Sequence, residues 1–197
     1  MRILGDLASG NCLKVKYAAD RLGLDYTWEP VDIMRGESRT DVFLALNPMG
    51  QVPVVVLDDG RALAQSNAIL QFLAEDTDLL PGDAYDRAKV AEWLFWEQYS
   101  HEPYIAVCRF HMVYRGEPRE TREAWRVERG EAALDAMNRS LDGRRFLVGD
   151  TLTVADIALL AYTRLAGQGG FDLASRPAVS AWIRRCEDAL GLDPVPA

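Results

Sequence analysis

Apolar and polar positions change period along the chain. Arg2-Ile3-Leu4-Gly5 reads as a short strand. From Asn11 to Leu22, Val15, Ala18, Ala19 and Leu22 recur at helical spacing, and Gly23 follows as a C-terminal stop. Tyr26 to Val31 reads as a second strand. A strand, a crossover helix and a strand in about 30 residues form a βαβ unit, which requires parallel pairing. The pattern then predicts a helix over Ser38–Leu46, closed by Asn47-Pro48. Val52–Leu57, the turn Asp58-Asp59-Gly60 and Arg61-Ala62-Leu63 predict a hairpin. Helical spacing resumes from Ser66 to Ala74. The order β-α-β-(α)-β-β-α describes a small mixed sheet with helices.

Residues 76–84 are rich in turn formers, and 77–84 reads as a linker. Beyond it the pattern is helical. Ala88, Ala91, Leu94, Phe95 and Tyr99 make one stripe, and Leu134, Met137 and Leu141 a second. Ala155, Ala158, Leu159 and Tyr162 make a third, and Val179, Trp182, Ile183 and Cys186 a fourth. Residues 85–197 are therefore expected to form an all-helical domain. Within it, Thr153 and Asp156 have capping-box spacing, flanked by Leu152 and Ile157 as a hydrophobic staple.

The 197 residues carry 22 Lys and Arg against 30 Asp and Glu, a net charge of −8. That balance argues against nucleic acid and acidic bilayers, which need clustered cations. An acid at Asp6 interrupts any apolar leader, and no run is long enough to span a membrane. Cys12, Cys108 and Cys186 are odd in number and far apart, which fits a reducing cytoplasm. His101 and His111 lack metal-ligand spacing, so no metal is expected.

Four features suggest chemistry. Ser9-Gly10-Asn11-Cys12 lies between a strand and a helix N-terminus, where an anion is favoured; the alternative is simple capping by Ser9 or Asn11. Gln51-Val52-Pro53 places a proline at the head of a strand, which reads either as an edge proline or as a cis bond exposing backbone groups to an extended peptide. Gln65-Ser66-Asn67 opens a helix, so Ser66 either caps it or binds a carboxylate there. Trp93, Trp96, Tyr99 and Tyr104, with His101 between, read as core or as the wall of an apolar pocket.

In order and context these features, with Asn47-Pro48-Met49-Gly50, Ala68-Ile69, Phe146-Leu147-Val148-Gly149-Asp150 and Thr153-Val154-Ala155-Asp156-Ile157-Ala158, resemble the serine-type cytosolic glutathione transferases across essentially the whole chain. The resemblance implies a thioredoxin-like N-terminal domain with a cis-proline over 1–76, a linker over 77–84, and an all-helical C-terminal domain over 85–197. It implies glutathione as co-substrate, a homodimer, and a small electrophile as the second substrate. Ser9 then matches the donor to the glutathione sulfur, with Asn11 and Cys12 as rivals. Gln51 and Val52 match the groups holding the cysteinyl and glycyl parts, Pro53 the cis-proline, and Gln65 and Ser66 the pair binding the γ-glutamyl end.

Within this resemblance the nucleophile belongs to the co-substrate. A free thiol with a pKa near 8.5 is only a few per cent thiolate at neutral pH. A donor hydroxyl at a helix N-terminus lowers that value by about two units, roughly 2.7 kcal/mol. Leu7, His101, Tyr104, Arg109 and Phe110 are candidates for an apolar pocket between the domains. Glutathione is itself an anion, so an acidic protein must hold it with local donors: the helix starts at Asn11 and Ser66, Gln51, and Arg35 or Lys14. Alternatives on the same fold are a glutathione-dependent peroxidase, isomerase or dehalogenase, and a non-catalytic ligand-binding protein.

Overall fold

The computed structural model describes residues 1–195 and divides into two units, Met1–Glu75 and Asp76–Ala197. In the first, β1 (Arg2–Gly5), α1 (Gly10–Arg21), β2 (Thr27–Pro30), α2 (Asp41–Leu46), β3 (Val54–Val56), β4 (Ala62–Ala64) and α3 (Ser66–Leu73) follow in turn. The sheet order is β2-β1-β3-β4. β1 and β2 are parallel, while β3 runs antiparallel to both β1 and β4. Successive strand residues point to opposite faces, so Ile3 and Leu4 serve two cores. Ile3 and Val55 pack with Val15 and Ala19 of α1 and Ile69 of α3. Leu4, Val54 and Val56 pack with Val31 and Phe43 of α2 on the other side.

β1 spans the residues expected of it, β4 is shifted by one, and β2 and β3 are shorter than the runs that predict them. The helix expected over Ser38–Leu46 is broken: a 3₁₀ turn at Glu37–Arg39 precedes α2. Thr40 sits between them in extended conformation, and its Oγ1 accepts the Phe43 N–H at 3.4 Å. A residue used as an N-cap cannot also continue a helix through itself.

The second unit contains α4 (Ala84–Trp96), α5 (Glu102–Val113), α6 (Ala124–Ser140), α7 (Val154–Thr163) and α8 (Pro177–Leu190). A π-helical turn, Glu97–His101, joins α4 to α5. The turn-rich segment before α4 is anchored within this unit. Leu79 is fully buried, and its carbonyl accepts the Val154 N–H at 2.9 Å. Among the described residues no helix is long and apolar enough to cross a membrane.

One apolar stripe is placed differently from its pattern. Val90, Leu94, Glu97 and His101 take the buried side of the α4 segment, while Phe95 and Tyr99 are 76% and 78% exposed. The sequence offers apolar residues on more than one side there, and two polar side chains occupy the interior. The stripes on α6, α7 and α8 do face the core: Leu134, Met137, Leu141, Leu159, Tyr162, Val179, Trp182 and Cys186 are buried.

Asp156 organises the far end of this unit. Its buried carboxylate accepts the Thr153 N–H at 3.0 Å, the reach-back half of the expected capping box. It also accepts the Leu147 N–H at 2.9 Å and the Trp182 Nε1–H at 2.8 Å. One carboxylate thus joins the loop before α7, the start of α7 and the middle of α8. Asp156→Ala leaves these donors buried and unsatisfied and is expected to cost about 3–5 kcal/mol. The check is the midpoint of urea unfolding, where Asp156→Asn should lose less because one acceptor oxygen remains.

Candidate active site

Strand register brings the candidate residues to one end of the first unit. Leu4 of β1 pairs with Val54 of β3, and Val54 with Ala64 of β4. The chain leaving β1 toward Ser9, the chain entering β3 from Val52-Pro53, and the chain leaving β4 into Gln65-Ser66 therefore share an edge of the sheet. Because β3 is antiparallel to both neighbours, its beginning lies beside their ends.

At the first of these positions, Ser9 occupies the N-cap of α1 with φ −82° and ψ 122°, yet its side chain makes no capping bond. Its backbone N–H donates to the Asp6 carbonyl at 3.0 Å. The hydroxyl lies in hydrogen-bonding range of the Cys12 thiol. Gly5 makes this close packing possible: a Cβ there would meet Cys12 Sγ at 2.9 Å and the Trp28 ring at 3.0 Å. Burial pushes the Cys12 thiol up to about 11, outweighing the downward pull of the Asp6 N–H and the Ser9 hydroxyl. Cys12 is therefore a neutral thiol at physiological pH, with its sulfur accepting the Asp6 N–H at 3.4 Å.

At the second position the Val52–Pro53 bond is cis. Asn47 shapes the loop ahead of it. The buried Asn47 side chain donates from Nδ2 to the Gln51 carbonyl at 2.7 Å and accepts the Met49 N–H at 3.2 Å. Gly50 adopts φ 61°, and a Cβ there would lie 2.5 Å from Arg39 Nη1. The sequence suggests only a helix stop at Asn47-Pro48. That the amide crosses the loop and holds it depends on the turn that follows.

At the third, Gln65 has φ 68°, a left-handed conformation for a residue with a side chain. Such a backbone costs on the order of 1–3 kcal/mol and tends to persist where function requires it. Gln65 is exposed and makes no capping bond to α3. Ser66 is buried, and its Oγ donates to Asn11 Oδ1 at 3.0 Å. Two polar residues read as possible helix caps thus bond to each other, and the starts of α1 and α3 are tied together. One turn further along α1, the fully buried Lys14 donates from Nζ to Asn67 Oδ1 at 3.4 Å. Arg35, by contrast, has an 83% exposed side chain and pairs with Asp32 at 3.5 Å.

The family models for the glutathione S-transferase N-terminal and C-terminal domains match residues 8–76 and 95–189. The chain belongs to the glutathione S-transferase family. It is 34% identical to glutathione S-transferase 3 of Zea mays, covering 92% of this chain and 86% of the relative. It is also 34% identical to maleylacetoacetate isomerase of Rhizobium meliloti, covering 88% and 84%. A crystal structure of glutathione S-transferase from Pseudomonas fluorescens superposes with a TM-score of 0.91 at 48% identity, covering 94% of each chain. These relatives and the fold make this protein a glutathione transferase with glutathione as co-substrate.

The transferase's candidates for the second substrate differ in setting. Leu7 is 54% exposed on the loop after β1. Tyr104 is half-buried in α5, with its hydroxyl accepting from Arg129 at 3.1 Å and its ring edge-on to Trp125. Phe110 stacks on Tyr114 with centroids 5.0 Å apart. His101 is fully buried, with Nε2 2.9 Å from Thr163 Oγ1. Arg109 is buried too, and its Nε donates to Gln168 Oε1 at 2.8 Å. Among the described residues no cluster of His, Cys, Asp and Glu could hold a metal ion.

All three cysteines are buried and reduced. Native protein at neutral pH should resist a disulfide reagent over the time in which denatured protein is labelled at all three. Mass spectrometry of peptides after a brief pulse checks this, with Cys12 the diagnostic site.

Proposed function

We propose that Ser9 is the hydrogen-bond donor that activates the glutathione thiol, with Gln51 and the Val52 backbone holding the cysteinyl and glycyl parts and Gln65 and Ser66 the γ-glutamyl end. The observation carrying this reading is the Ser9 hydroxyl at the start of α1, unused for capping, on the same sheet edge as Pro53 and Ser66. A donor and a helix N-terminus both favour the thiolate over the thiol. The bound sulfur then attacks an electrophilic carbon, and the leaving group departs with its electron pair. Ser9 donates a hydrogen bond throughout and forms no covalent bond. Cys12 is less suited, being a buried neutral thiol; Asn11 accepts from Ser66 through Oδ1 and remains the rival donor through Nδ2.

Leu7, two residues before Ser9, supplies apolar surface beside the thiolate. Within the helical unit, Tyr104 and Phe110 offer aromatic surface suited to an apolar substrate, while the buried His101 and Arg109 bond to Thr163 and Gln168. A glutathione-dependent isomerisation is the second reading, favoured by the similarity to the isomerase. The two are separated by whether glutathione is consumed or regenerated during turnover.

Homodimerisation and a cytoplasmic location complete the proposal. Tyr85, Phe95 and Tyr99 are each more than 70% exposed on the α4 segment, an apolar stripe suited to a second copy of the chain.

Ser9→Ala should raise the pKa of bound glutathione by about two units and lower conjugation of chlorodinitrobenzene at neutral pH by about 10- to 100-fold. Raising the pH should restore much of the rate, because the thiolate then forms without the donor. Thiolate ultraviolet absorbance against pH gives the first quantity and initial rates the second. A larger effect of Asn11→Ala would move the donor role to Asn11. In size-exclusion chromatography the protein should elute near twice its 22.0 kDa mass, and Phe95→Glu should shift it toward the monomer.

A further inference from the structure

Lys14 stands out among the charged groups. A lysine is seldom fully buried unless something holds its ammonium. Here it is 0% exposed in the middle of α1, and its Nζ donates to Asn67 Oδ1 in the first turn of α3. One turn earlier on α1, Asn11 accepts from Ser66 Oγ on the residue before Asn67. Two side chains of α1 thus grip two consecutive residues of α3. The residue just before them, Gln65, holds the left-handed backbone that turns the chain from β4 into this helix.

We infer that Lys14 is a positioning residue for the γ-glutamyl end of glutathione, acting through Asn67 and not by touching the co-substrate. This rests on the assignment of Gln65 and Ser66 to that end. The Lys14–Asn67 and Asn11–Ser66 bonds fix the rotation and height of the first turn of α3. That turn carries Ser66 and the start of the α3 backbone, whose N–H groups and dipole favour an anion. Lys14 lies five residues along the chain from Ser9 and bonds to α3, so it affects affinity for one end of the tripeptide and leaves the chemical step unchanged. A misplacement of about 1 Å in a binding group can cost two orders of magnitude, so a buried strut is sufficient for a selective effect.

The test compares glutathione with the dipeptide cysteinylglycine, which retains the thiol and glycyl end but lacks the γ-glutamyl residue. Lys14→Met should raise KM for glutathione about tenfold, the scale of one charge-assisted hydrogen bond, with kcat changed by less than about twofold. The same variant should use the dipeptide as well as wild type does, and Lys14→Arg should recover part of the loss. Asn67→Ala should reproduce the selective rise in KM and, combined with Lys14→Met, add little to it. The Asn67 variant carries the same measurement if the lysine variant does not fold. An equal loss on glutathione and dipeptide, or no loss on either, overturns the inference. Ser66→Ala is run alongside. If it too leaves the preference for glutathione over dipeptide unchanged, the assignment of the γ-glutamyl end fails and the inference falls with it. If Ser66→Ala reduces that preference and the Lys14 and Asn67 variants do not, the inference alone is overturned.

Discussion

The hydrogen bond from Ser66 to Asn11 is the contact on which the rest of the site depends. It joins residues 55 positions apart and ties the first turns of two helices. Neither side chain sits at the N-cap of its helix: Ser9 and Gln65 hold those positions, one or two residues earlier. By bonding to each other, Asn11 and Ser66 set a fixed relation between the helix starts. Ser9 immediately precedes one start and Gln65 the other, so their positions follow from that relation and from the strand register beneath it.

An acidic chain that binds an anionic tripeptide has to concentrate favourable groups locally. A net charge of −8 sets the background, and its effect beyond about 10 Å is screened by salt. Over shorter distances the helix starts and a few hydroxyls and amides dominate, because they are oriented before the ligand arrives. The same economy appears in the helical unit. Asp156 receives donors from three segments, and the Arg164–Glu187 ion pair is buried at 2.9 Å. Directional contacts of this kind select one arrangement of helices that apolar packing alone would leave less defined.

Local signals were informative where local physics decides. The capping-box residues Thr153 and Asp156, the Asp59-Gly60 turn and the stripes on α6 and α8 could be read because each involves neighbours within one or two turns. The α4 stripe could not, because apolar side chains flank that helix on more than one side. Only the surrounding helices determine that Glu97 and His101 go inside while Phe95 and Tyr99 stay out. The π turn at Glu97–His101 has no comparable sequence signature. The break at Thr40 was not read, because the helical periodicity of Ser38–Leu46 runs through it.

By itself the sequence determined the order of elements, the two-part organisation and the short segments proposed to carry the chemistry, because period, turn residues and motif spacing are properties of neighbouring positions. It could name Ser9, Asn11, Ser66 and Lys14 but could not say which would bond to which. The tertiary structure decided that. Strand register placed three chain segments at one edge, and the packing of α1 against α3 turned two apparent caps into a cross-link and buried a lysine beside an amide. Such pairings depend on groups 53 to 55 residues apart meeting at 3.4 and 3.0 Å, distances set by the packed core and not by any local propensity.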